Sequence, residues 1–171
     1  IPPQAFNALR MSVASAVFAA ALVARGLPRV ARADWGRLAL LGAVGHFVYQ
    51  VCFMGGLART TASNSALIIG CSPVAVSIAS ALAGHERVPR SQWAGVLLSI
   101  FGVYLVVGTG AEFGGSSLAG DLLTLCAVGC WAVYTVGSRP LLSRYSPLAV
   151  TGITMLAGTA LYVPASFPQL A

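Results

Sequence analysis

The chain has 171 residues, 57% of them hydrophobic and 8% charged, with a mean hydropathy of +0.83. A soluble domain carries about 25% charged residues, so this composition excludes a soluble globular fold and requires an integral membrane protein. Ten basic residues against four acids give a net charge of +6, and the position of each arginine assigns that charge to membrane topology, not to nucleic acid.

Apolar stretches near the length that crosses about 30 Å of hydrocarbon fall at residues 4–24, 37–58, 62–83, 93–110, 119–138 and 147–167. They predict six transmembrane helices in an all-α polytopic bundle, joined by short breaks rich in Gly, Pro and charge. Consecutive spans are therefore expected to be antiparallel neighbours. The apolar segments are too many and too long for a removable signal peptide.

The first span carries Arg10, a charged residue well inside the hydrocarbon. It could snorkel outward, bind carbonyls or receive a substrate carboxylate. On the second span His46, Tyr49, Gln50 and Phe53 follow the i, i+3, i+4, i+7 spacing of one helix face. Polar groups facing lipid are costly, so this face is expected to line the interior or a watery cavity; the alternative is hydrogen bonding that only holds helices together. The third span opens with Thr61, Ser63, Asn64 and Ser65, and Pro73 removes a backbone donor about halfway along it. That predicts a kink with a freed carbonyl near residue 69, an N-cap at Thr61, and Asn64 and Ser72 as candidates for a cavity.

In the fourth span Gly95, Ser99 and Gly102 read as close-packing positions, as do Gly42 and Gly45 in the second and the Ala75, Ala79, Ala83 row in the third. On the fifth span Trp131 and Tyr134 are adjacent on one face, suited either to core packing or to stacking on a substrate. Cys52, Cys71, Cys126 and Cys130 all fall within spans and read as buried free thiols, with no disulfide framework and no metal site implied.

Arg25, Arg29, Arg32 and Arg37 surround the first break, Arg87 and Arg90 the third, and Arg139 and Arg144 the fifth. Across the membrane lie Arg59, Glu112 and Asp121. The positive-inside rule makes the arginine-rich side cytoplasmic. The first span then runs inward and the sixth outward. This matters because residues 1–20 align on 145–164 at an offset of 144, matching Pro3 with Pro147, Ala5 with Ala149, Met11 with Met155 and Ala16 with Ala160. A unit with an odd number of spans repeats upside down, which is the inverted-repeat plan of many secondary transporters. Residues 1–110 would then be helices two to five of one repeat, and 111–171 the first two helices of the next. On this reading the chain is an internal portion of a protein of five plus five helices, lacking one helix before it and three after.

The segment LARTTASNSALIIGCSPVAVSIASALAGHERVPRSQWAGVLLSIFGVYLVV, the opening PxxFNALR and the stretch GDLLTLCAVGCWAVYTVGSR together resemble the drug/metabolite transporter superfamily, specifically its EamA-like ten-helix branch. The resemblance covers essentially the whole chain. It implies export or exchange of small polar or amphiphilic metabolites such as amino acids, by alternating access through a central cavity in a plasma membrane such as the bacterial inner membrane. His46, Tyr49, Gln50, Phe53, Asn64, Ser72, Trp131, Tyr134 and Arg10 are the expected substrate-binding residues. The partners are then a small-molecule substrate and the lipid bilayer. Proton coupling stays open against facilitated diffusion, with His46 and Tyr49 as the titratable candidates. The competing reading is a non-transporting scaffold or an intramembrane enzyme. The chain has no HExxH, no P-loop, no GxGxxG and only GCSP where a GxSG nucleophile would be wanted, so neither an enzyme nor a cofactor is expected.

Overall fold

The computed structural model describes residues 3–84, 93–95, 97, 98, 101 and 118–166. The helices are α1 (Pro3–Ala24), α2 (Arg32–Gly42), a π-helical turn (Ala43–Val48), α3 (Tyr49–Leu57), α4 (Ala62–Gly70), α5 (Ser72–Leu82), α6 (Leu118–Leu142) and α7 (Pro147–Ser166). Among the described residues five helices are long and apolar enough to cross a membrane: 6–24, 32–57, 62–82, 118–142 and 147–166. The protein is thus an all-α polytopic bundle, as its composition requires. The fourth expected span, 93–110, falls largely outside the described residues.

Two spans outrun their hydropathy limits. The second begins at Arg32, not 37, and the fifth continues to Leu142 through Pro140. Hydropathy registers only the part of a helix immersed in hydrocarbon, whereas the backbone ladder continues into the headgroup layer, where arginines are solvated. The third span is interrupted where Pro73 predicted. α4 stops at Gly70, Cys71 takes φ −78° and ψ −1°, and α5 restarts with Pro73 in its first turn, where the missing N–H costs nothing. Thr61 caps α4 as expected, its hydroxyl accepting from the Asn64 N–H at 3.2 Å.

The chain forms two compact units, residues 1–48 with 137–171, and residues 49–136. In the first, α1 and α7 pack closely against each other through both polar and apolar contacts. Ser15 donates to Thr159 at 2.7 Å, and these two residues stand 144 positions apart. Ala8, Met11 and Tyr162 form a buried cluster flanked by Phe47 and Met155, and Leu22 lies over Gly152. The π turn of the second span seats against α7: a Cβ on Gly158 would meet the Cβ of His46 and lie 2.8 Å from the Gly42 carbonyl oxygen, and one on Gly42 would lie 2.9 Å from Ala157 Cβ. Only glycine permits this approach. Two buried hydroxyls are satisfied along their own helix, Thr154 to Val150 O at 2.9 Å and Ser166 to Tyr162 O at 2.9 Å, the back-bonding that lets Ser and Thr sit in apolar surroundings.

The arginine-rich end of this unit is closed by a polar clasp. Asp34, 4% exposed, accepts from the Tyr145 hydroxyl at 2.7 Å and from Arg144 at 3.4 Å. The Tyr145 oxygen in turn accepts from the Ala31 N–H at 3.1 Å. Two breaks expected on the same side of the membrane are thereby joined. In the second unit Thr60 donates to Asp121, and Gly120 lies against the Arg59 backbone, joining the second break to the start of α6.

Two stability predictions follow from this packing. Gly158→Ala should destabilise the protein by about 1–3 kcal/mol through overpacking, read as a lower unfolding midpoint in detergent. Gly129→Ala, whose Cβ would meet nothing within 4 Å, should leave the midpoint unchanged. Asp34→Ala should cost about 1–3 kcal/mol by stripping a buried acceptor from its donors. Arg144→Gln, at a side chain 64% exposed, should cost no more than about 1 kcal/mol.

Candidate substrate-binding site

The second unit contains a row of aromatic rings. Tyr49 and Phe53, one turn apart on α3, stack with centroids 5.9 Å apart and planes 12° from parallel. Tyr49 meets Trp131 of α6 at 5.8 Å and 51°, and Trp131 meets Tyr134 at 5.5 Å and 37°. Offset and tilted rings at these separations attract through their quadrupoles beyond simple burial. Four aromatic side chains are thus held as one rigid wall.

Beside this wall is a cavity of about 220 Å³, lined by Tyr49, Ile69, Ser72, Ala127, Val128 and Trp131. It is smaller than the roughly 300–1,000 Å³ of drug-sized sites, which suits a molecule of amino-acid size. The break in the third span shapes one side. Pro73 has no N–H to give the Ile69 carbonyl, and the Ser72 hydroxyl donates to that oxygen instead, at 2.5 Å. Ser72 therefore faces the cavity with its hydrogen committed and its lone pairs available as acceptors. Trp131, 39% exposed, presents an indole face that can stack on an aromatic group or hold an ammonium by cation–π attraction.

The unit also buries polar atoms without a hydrogen-bond partner among the described residues: Gln50 Oε1, Asn64 Oδ1 and Ser65 Oγ. A buried polar atom left unpaired costs about 1–3 kcal/mol. Cys52 and Cys126 are in thiol contact with sulfurs 3.7 Å apart, and the described cysteines are free. No group of three metal-ligating side chains occurs among the described residues.

Of the nine expected site residues, Tyr49, Phe53, Ser72, Trp131 and Tyr134 come together at this wall and cavity. Gln50 and Asn64 lie buried in the same unit. His46 and Arg10 belong to the other unit. His46 packs over Gly158, and its Nε2 lies 3.4 Å from the Thr154 hydroxyl. Arg10 donates to Asn7 Oδ1 at 2.9 Å. The π turn that carries His46 ends at Val48, one residue before Tyr49 opens α3. Ile69, Ala127 and Val128 were not expected in the lining. The last two were within reach of the sequence, standing four and three residues before Trp131 and so on its helical face.

Three comparisons bear on what such a site serves. The EamA-like transporter family matches residues 1–108 and 118–170. Curated relatives include a "Probable terminal-alkyne amino-acid exporter" of Streptantibioticus cattleyicolor, 32% identical over 91% of this chain and 52% of its own length. The "Aromatic amino acid exporter YddG" of Ancylobacter novellus is 31% identical over 81% of this chain and 50% of its own. The "Uncharacterized transporter YetK" of Bacillus subtilis is 27% identical over 96% and 51%. The chain thus spans about half the length of these relatives. No solved structure matches it. The two-part family match over nearly the whole chain, on an all-α bundle with membrane-crossing helices, places this protein in the EamA-like transporter family.

Proposed function

We propose that this chain is part of an exporter or exchanger of small polar or amphiphilic metabolites such as amino acids, and that its substrate passes by alternating access through a cavity walled by Tyr49, Phe53, Trp131 and Tyr134. The single observation that carries the reading is that wall and the 220 Å³ space beside it, in a family of transporters. A scaffold has no use for such a lined space. Relatives named as amino-acid exporters support the substrate class. An aromatic amino acid suits the lining best, because its ring can stack on Trp131 while the Ser72 oxygen accepts from its ammonium. The setting we propose is the bacterial inner membrane, and the protein is no enzyme.

The architecture we assign is an inverted repeat of five plus five helices. The contacts of α1 and α7 support it. Ser15 bonds the residue 144 positions ahead of it, the same offset that aligns the two helices in sequence. The face that α1 presents, at residues 8, 11, 15 and 22, recurs on α7 as Gly152, Met155, Thr159 and Ser166. A helix that meets its own repeat through the same face is self-complementary, as contacts about a two-fold axis must be. The interruption of the family match between 108 and 118 agrees with a repeat boundary near 110.

The test is efflux and counterflow of a panel of amino acids and amphiphilic cations from vesicles holding the complete protein. Saturable movement of aromatic amino acids is expected, and no saturable movement of any compound would overturn the proposal. Trp131→Ala should raise the half-saturating concentration of an aromatic amino acid about 3–10-fold, the worth of one stacked ring, with a smaller change for alanine. We read the contacts of His46 with Gly158 and Thr154 as packing, and His46→Gln should then leave the pH profile of efflux unchanged. A displaced profile would instead make His46 the proton-coupling group.

A further inference from the structure

The first unit has a second cavity, of about 480 Å³, at its arginine-rich end. Its lining is apolar throughout and includes Leu22 of α1, Leu27 of the following loop, Trp35 and Ala39 of α2, and Ile153 and Leu156 of α7. Leu27 is 74% and Trp35 50% exposed. Three arginines adjoin the lining residues in the chain. Arg25 stands one turn beyond Leu22, Arg29 follows the lining residues Leu27 and Pro28, and Arg32 stands one turn before Trp35 on the face that also carries Ala39. All three arginines are exposed. The acid among them, Asp34, is turned away and engaged by Tyr145 and Arg144.

By their places in the chain, the arginines belong to the loop and the start of α2, the indole of Trp35 to the first turn of α2, and Ala39, Ile153 and Leu156 to deeper turns of their helices. That order matches an anionic phospholipid: phosphate at the headgroup level, glycerol and ester at the interfacial tryptophan, acyl chain below. By the positive-inside rule this end is cytoplasmic, where the leaflet supplies anionic lipid. Its lining side chains carry no carboxylate and no hydrogen-bond acceptor, so they offer a polar metabolite little to bind. We propose that this groove is a binding site for one anionic phospholipid of the cytoplasmic leaflet, with Arg25, Arg29 and Arg32 on its phosphate and the acyl chain between α1, α2 and α7. Occupied, it would tie the first loop to α7 and support the clasp at Asp34.

The test uses the complete protein in phosphatidylcholine vesicles doped with phosphatidylglycerol brominated on its acyl chains, or with equally brominated phosphatidylcholine, and reads tryptophan quenching. Trp35→Phe isolates the Trp35 contribution among the three tryptophans of the chain. The Trp35 signal should be quenched at a several-fold lower fraction of the anionic lipid than of the neutral one. Each arginine at the phosphate is worth about fivefold. Arg29→Gln with Arg32→Gln should remove the preference while leaving quenching by the neutral lipid in place. Equal quenching by the two lipids would show ordinary boundary lipid and overturn the proposal. Absence of any Trp35-dependent quenching would also overturn it, because a protein segment or a second copy would then fill the groove.

Discussion

In hydrocarbon no water is present to complete a backbone hydrogen bond, so every N–H and C=O must find its partner within the protein. That requirement makes each span of this chain a helix. It also gives meaning to the two places where the regular ladder is interrupted. At Cys71 the loss of the Pro73 donor is repaired by the Ser72 hydroxyl on the Ile69 carbonyl. At residues 43–48 the helix widens into a π turn. One interruption lines the small cavity and the other brings His46 against Gly158 and Thr154.

The same scarcity of water governs the side chains. Several hydroxyls in the spans bond back to their own helix, as at Ser12, Thr124, Thr135, Thr154 and Ser166. The described carboxylates sit at helix ends, where Asp34 and Asp121 each tie one break of the chain to another. Since lipid is as apolar as leucine, the hydrophobic effect does little to bring helices together inside the bilayer, and contact depends on close approach. Gly42 and Gly158 supply it in one unit, Gly56 and Gly120 in the other. Close, small-residue contacts are compatible with sliding, which alternating access requires of a transporter.

Much of the fold was legible because immersion in lipid is a property of composition. The limits of the first, third and sixth spans agree with the helices to within a residue or two, and the break near Pro73 and the cap at Thr61 follow from one missing donor and one available acceptor. The starts and ends of the second and fifth spans were not legible, because a hydropathy window cannot see a helix that continues among solvated arginines. At the site, aromatic and polar residues at helical spacing singled out Tyr49, Phe53, Trp131 and Tyr134. Their small neighbours Ala127 and Val128 went unnoticed because they have no chemistry of their own and matter only as space.

By itself, then, the sequence determined the solvent, the helical character of the spans, the family resemblance and the residue types available for a site. These depend on local composition and on covalent features such as proline's missing N–H. The partners of each side chain were decided by the tertiary structure. A π turn that hydropathy cannot register gave His46 to Thr154 and Gly158, while Tyr49, three residues on, joined Trp131 from a segment about 80 residues away. Facing positions on separate helices are set by backbone approach and helical register, and neither quantity is carried by any single stretch of residues.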